Sequence, residues 1–119
     1  EEMKSILEKE HIEKEYVDIV NVFKECGVDI FVFETFPELG FIDKAIENAG
    51  ENGFVITQFA INQFGYSSAG FSARKLIEEA GKNSYIDFAI VSESFSLTNL
   101  SPLFIALVNP FIISLLLFI

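Results

Sequence analysis

With 119 residues, half of them hydrophobic, and a formal net charge of -10, the chain has the size of one domain or part of one. That hydrophobic share, with 14 phenylalanines, excludes a disordered chain, which persists only where little apolar surface can be buried. The acidic balance speaks against DNA or RNA as a partner, because phosphate binding needs clustered Lys and Arg. The single cysteine, Cys26, allows neither an internal disulfide nor a Cys-based zinc site within the chain. It also fits a reducing, cytoplasmic setting. The first residue is Glu rather than Met and no basic-then-apolar leader is visible, so the chain reads as a segment of a longer protein.

In chain order, Met3, Ile6 and Leu7 among Glu and Lys mark an amphipathic stretch. It runs toward a helix whose apolar stripe is Tyr16, Ile19, Val20 and Phe23, stopped by Gly27. Asp29–Glu34 is short, β-branched and aromatic, which predicts a strand buried on both faces. Pro37 opens a second helix with the stripe Ile42, Ala45, Ile46 and Ala49, ended by Gly50. Phe54–Ile61 is the second strand, followed by the Gly- and Ser-rich loop Gly65–Gly70. Ser72 then caps a third helix, with Phe71 and Leu76 at hydrophobic-staple positions and Gly81 at its close. Tyr85–Val91 is the third strand. Ser101-Pro102 predicts another helix start, leading into Leu103–Val108. Asn109-Pro110 breaks it, and Phe111–Ile119 is a fourth apolar run.

Strand starts at 29, 54, 86 and 111 lie 25, 32 and 25 residues apart. A β/α barrel of about 250 residues in eight units has about 31 residues per unit. The expected fold is therefore α/β: a partial (β/α)8 TIM barrel over 1–119, with about four strand–helix units and parallel strands. The same spacing fits an open doubly wound sheet. Leu103–Ile119 carries no charge over 17 residues, near the lower limit for a membrane span. Asn109-Pro110 in its middle favours two core elements over a membrane anchor.

In such architectures chemistry gathers at the carboxyl ends of the strands. Three polar clusters fall there: Glu34-Thr35, Asn62-Gln63 and Ser92-Glu93-Ser94. From about Tyr16 to Leu107 the chain resembles the homocysteine S-methyltransferase family, in the form of the homocysteine-binding barrel of cobalamin-dependent methionine synthases and of fused methyltransferase–methylenetetrahydrofolate reductases. The residues that carry the resemblance are Gly27–Thr35, the helix Ile42–Ala49, the strand Phe54–Asn62, the loop Gly65–Ser72 leading into Leu76-Ile77-Glu78, and Tyr85–Ala89. The resemblance implies methyl transfer to the homocysteine thiol, giving methionine, with Glu34 holding the substrate's amino group. A carboxylate suits an ammonium as a charge-assisted partner.

It also implies zinc, held by three cysteines that present the substrate sulfur as a thiolate. Here the sequence departs from the pattern. Glu93 occupies the position of the family's first zinc cysteine, Ser96-Leu97-Thr98-Asn99-Leu100 replaces a Gly-Pro-x-His-Leu motif, and the Cys-Cys pair is not in the chain. Zinc is therefore not expected to bind. The expected identity is a fragment or degenerate relative of such an enzyme, inactive as this chain. The alternative is a non-catalytic module that self-associates or pairs with a complementing half-barrel.

The remaining candidates are weaker. Asn62 offers an amide to a substrate, although turn chemistry before Gly65 explains it as well. Glu34, Asn62 and Glu93 together suit an all-oxygen magnesium site, without any spacing that demands one. His11 is expected to be exposed in a Glu/Lys-rich helix, and Cys26 to be a small buried residue. Gly65–Gly70 lacks the lysine of a P-loop.

Overall fold

Three parallel strands joined by two crossover helices form the centre of the molecule. The computed structural model describes residues 2–93 and 104–106. Helix α1 (Glu2–Glu25) leads into strand β1 (Ile30–Phe36), α2 (Asp43–Gly50), β2 (Phe54–Ile61), α3 (Ala73–Lys82) and β3 (Phe88–Glu93). The strands lie in the sheet in sequence order, β1-β2-β3, and a short β4 (Phe104–Ala106) extends it beyond β3. β1 with β2 and β2 with β3 pair in parallel, whereas β3 with β4 is antiparallel.

The elements follow local chemistry. The two apolar stretches at the start of the chain form one continuous helix, α1. It ends where Gly27 takes φ 84, with the Gly27 N–H donating to the Lys24 carbonyl and the Val28 N–H to that of Phe23. This is the glycine-dependent stop expected of a Schellman-type cap. Ser72 caps α3 through its hydroxyl, which accepts from the Lys75 N–H at 3.2 Å. Phe71 packs against the core cluster that includes the buried Leu76. Gly50 serves a different purpose from a cap. A methyl group there would stand 2.7 Å from the Tyr85 Cβ, so glycine lets the end of α2 approach the segment entering β3.

One face of the sheet carries the core. Phe31 and Phe33 of β1 lie level with Val55 and Thr57 of β2, and Thr57 and Phe59 with Ala89 and Val91 of β3. All are buried, together with Ile42, Ala45, Ile46 and Ala49 of the α2 region and Leu76 and Ala80 of α3. Helix α1 packs on α2 through Val20 and a polar seam. There the Lys24 ammonium donates to the backbone and side-chain carbonyls of Asn48 at 3.0 and 2.9 Å, and Lys44 pairs with Glu13 at 2.9 Å. Both crossover helices thus sit on the same side of the strands.

Several expectations are corrected. β1 is buried on one face only: Ile30 and Val32 keep 60% and 53% of their surface exposed. In α1, Ile19 and Phe23 are exposed and only Val20 is fully buried, because the helix lies at the edge of the layer. Helix α2 begins at Asp43 and not at Pro37, since 37–42 turn after the strand, with the Ile42 N–H closing onto the Leu39 carbonyl. Phe104–Ala106, expected in a helix, is a strand, and its antiparallel pairing departs from four parallel units. Pairing to the edge of β3 outweighed the Ser-Pro start signal. The expected fourth strand, Phe111–Ile119, lies outside the described residues. What the structure establishes is a mixed α/β fold with a three-stranded parallel sheet. Among the described residues, no helix is long and apolar enough to cross a membrane.

Candidate site at the carboxyl ends of the parallel strands

Parallel pairing brings the ends of β1, β2 and β3 to one edge of the sheet. Glu34, Asn62 and Glu93 all arrive there, although each is placed differently. Strand alternation sets Glu34 on the open face with Ile30 and Val32, opposite to Phe31 and Phe33. It is exposed, and among the described residues it has no ion-pair or side-chain hydrogen-bond partner. The next residue, Thr35, adopts φ 63, a left-handed conformation unusual for a β-branched side chain and of order 1 kcal/mol unfavourable. The β1–β2 register shifts at the same place, between Phe33 and Phe36. An irregular strand end of this kind re-aims side chains and recurs beside functional sites.

Asn62 is engaged locally. Its side-chain carbonyl accepts from the Phe64 N–H at 2.9 Å and the Tyr66 N–H at 3.1 Å. Its backbone N–H donates to the Tyr66 carbonyl at 2.8 Å, and its carbonyl accepts from the Gly65 N–H. The amide therefore builds the turn at Gly65, which holds φ 84. Buried Ser67 organises the next turn, its hydroxyl accepting from the Phe71 N–H at 3.3 Å. Gln63 is exposed beside them. Glu93 ends β3, level with Ile61 of β2.

The open face contributes a group that the strand-end pattern did not single out. Gln58 lies on β2 between Thr57 and Phe59, both of which point to the helices, so it shares the open face with Glu34. Its Nε2 donates to the Ser92 Oγ on β3 at 2.7 Å. Amide and hydroxyl are both half-buried. The signal was present in the sequence: Gln58 is the one amide in a strand otherwise apolar except for Thr57, two residues from Ile56 in the same face row. Toward the other end of the strands this face is apolar, with Ile30 beside Phe54 and Val32 beside Ile56.

Two grooves border this layer. One of about 460 Å³ runs between α1 and the free edge of β1, walled by Tyr16, Ile19, Phe23, Ile30, Val32 and Glu34, among others. The larger, about 690 Å³, follows the outer helices α2 and α3, with Glu38, Asp43, Glu79 and Lys75 on its walls. It does not reach the open face. Asp43 within it has its carboxyl pushed above the ordinary range, first by partial burial and then by the charges of Glu13, Glu79 and Glu38, while Lys9 pulls it down.

Cys26 is exposed just past the end of α1, which corrects the expectation of burial. The helix terminates before it reaches the sheet, so nothing covers the thiol. It stands at the amino end of β1, the opposite end from Glu34 and Glu93. A three-thiolate zinc set does not fit this chain: one cysteine is present, and it is in the wrong place. Among the described residues, no three His, Cys, Asp or Glu side chains gather in a group able to hold a metal ion. His11 is exposed, as expected, with Glu15 one turn away at 3.4 Å.

No family model, curated protein or solved structure matches the chain. The resemblance described above rests on its motifs alone.

Proposed function

We propose that the chain is a fragment or degenerate relative of a homocysteine S-methyltransferase. On this reading its three parallel strands are consecutive units of a partial (β/α)8 barrel in a cytoplasmic protein. The observation that carries the reading is the two-sidedness of the sheet. Both crossover helices lie on one face, and the face that no described helix covers bears Glu34 at the carboxyl end of its strand. In a β/α barrel the helices form the outer ring, the opposite face lines the interior, and substrate groups sit at the carboxyl ends. The strand order β1-β2-β3 supports this and is equally at home in one half of a doubly wound sheet.

In the intact relative, Glu34 would hold the homocysteine ammonium. This chain has no thiolate set with which to activate the substrate sulfur, so it binds without turning over. Calorimetric titration with L-homocysteine, under reducing conditions, tests the reading. Weak saturable binding that disappears in Glu34→Ala is the expected result, and a folded chain that binds none overturns it. Methionine formation by the 119 residues with zinc bound stoichiometrically would overturn the inactive assignment.

A second reading, a non-catalytic assembly module, is favoured by the free edge of β1. The exposed Ile30 and Val32, on an edge that pairs with no other strand among the described residues, are a template for another strand, whether from a second copy or from a complementing half-barrel. Size-exclusion chromatography separates the two readings, since a clean monomer across concentrations counts against the module.

A further inference from the structure

We propose that Gln58 and Ser92 form, with Glu34, a recognition site for the zwitterionic head of an α-amino acid, in which Ser92 takes the carboxylate. The proposal rests on reading Glu34 as an ammonium partner and adds Ser92, from the third strand-end cluster, and Gln58, which no motif singled out. Its basis is the direction of the hydrogen bond between them. Gln58 donates its Nε2–H to the Ser92 Oγ at 2.7 Å. That bond fixes the amide, turning its Oε1 away from Ser92, and among the described residues neither that Oε1 nor the Ser92 O–H hydrogen has a further partner. Across the open face the chain therefore presents a carboxylate on β1, an amide acceptor on β2 and a hydroxyl donor on β3.

Two acceptors followed by one donor match an ammonium followed by a carboxylate. Neighbouring strands stand about 4.8 Å apart, so the outer two are separated by about 10 Å. An α-amino acid head with a hydrogen bond of about 2.8 Å at each end spans nearly that distance. The register supports the placement. Phe33 pairs with Thr57, so Glu34 and Gln58 each follow a paired residue onto the open face, with the ladder shifting between Phe33 and Phe36, and Ser92 pairs with Ala60, two residues beyond Gln58. The left-handed Thr35 and the register shift lie immediately beside Glu34. The apolar stretch of the same face, Val32 with Ile56, leaves room for an aliphatic or thioether side chain.

A cross-strand amide–hydroxyl pair also steadies a sheet, and the test separates that role from recognition. Amide chemical shifts of the folded full chain are followed while L-methionine, L-norleucine, 4-(methylthio)butanoate, which lacks the amino group, and 3-(methylthio)propylamine, which lacks the carboxylate, are titrated. L-methionine and L-norleucine are expected to bind alike, and each truncated ligand more weakly. Gln58→Ala and Ser92→Ala are each expected to weaken L-methionine about ten- to a hundredfold, the range for a hydrogen bond to a charged group. Ser92→Ala should leave the carboxylate-free amine unaffected, a pattern that a structural role would not produce. The ligand series on the unaltered chain decides the matter even where a variant fails to fold. Equal binding of methionine and its carboxylate-free amine overturns the proposal. Methionine binding lost in Glu34→Ala but indifferent to Gln58→Ala and Ser92→Ala overturns it while leaving the reading of Glu34 intact. No binding by any of the four overturns both.

Discussion

The two faces of one sheet use the same three strands for opposite ends. Toward the helices, alternate residues are large, apolar and fully covered, as in Phe59 and Val55, neither of which keeps any exposed surface. One residue along, Ile30 and Val32 stay more than half exposed, Glu34 is exposed near the end of β1, and Gln58 donates to Ser92. A strand exposes its side chains alternately up and down, so a single-residue step separates the part that holds the fold from the part proposed to bind. Stability and recognition can therefore be perturbed independently. That separation can be measured.

The largest contrast is truncation on either face. Phe59→Ala is expected to cost about 3–5 kcal/mol by leaving a cavity under the helices. Val32→Ala on the open face is expected to cost under about 1 kcal/mol. Urea denaturation of both variants checks this, and equal losses would break the comparison. Next, Gly50→Ala forces a methyl group against the Tyr85 backbone and Cβ. An overpacking loss of about 1–3 kcal/mol should follow, read by the same titration, although the residue itself is not fully buried.

Thr57 sharpens the contrast in the other direction. Its hydroxyl is buried on the helical face with no hydrogen-bond partner among the described residues. Thr57→Val removes an unpaid desolvation and should stabilise the fold by about 1 kcal/mol, visible as a higher urea midpoint. A loss instead would show that the helical face depends on a polar contact.

The smallest effect belongs to the groove along the helices. The Asp43 carboxyl in the folded chain holds its proton to higher pH than its ordinary value of 3.8. The folded state thus binds the proton more tightly than the unfolded state. Its contribution is full below that ordinary value and is lost as pH rises through the raised one. At neutral pH the ionised carboxylate is a net cost. Asp43→Asn should therefore gain thermal stability relative to the parent between pH 4 and 7, with the gap widening as pH rises. A gap that narrows toward pH 7 would show that the favourable position of an acid in the first turn of α2 dominates.

Much of this architecture was legible from local chemistry. Phe54–Ile61 is a short run rich in β-branched and aromatic residues and is a strand over those residues. Ser72 has the side chain of an N-cap and acts as one, and Gly27 takes the left-handed φ that only a helix stop requires. Each of these depends on residues within one turn or one strand. The candidate site was legible in part: Glu34 stood out as a carboxylate at a strand end. Asn62 looked equivalent until its carbonyl proved to be taken by the Phe64 and Tyr66 N–H groups of its own turn.

What the amino-acid order determined by itself was the α/β alternation, the helix stops and caps, and the absence of a three-cysteine metal set. These are set by propensity, spacing and residue type. Tertiary structure alone decided that β1 is covered on one side only, that Phe104–Ala106 joins the sheet antiparallel, and that Gln58 reaches Ser92 across 34 residues of chain. Each of those depends on which segments lie side by side. Pairing register, rather than any local preference, places two side chains from different strands on the same open face.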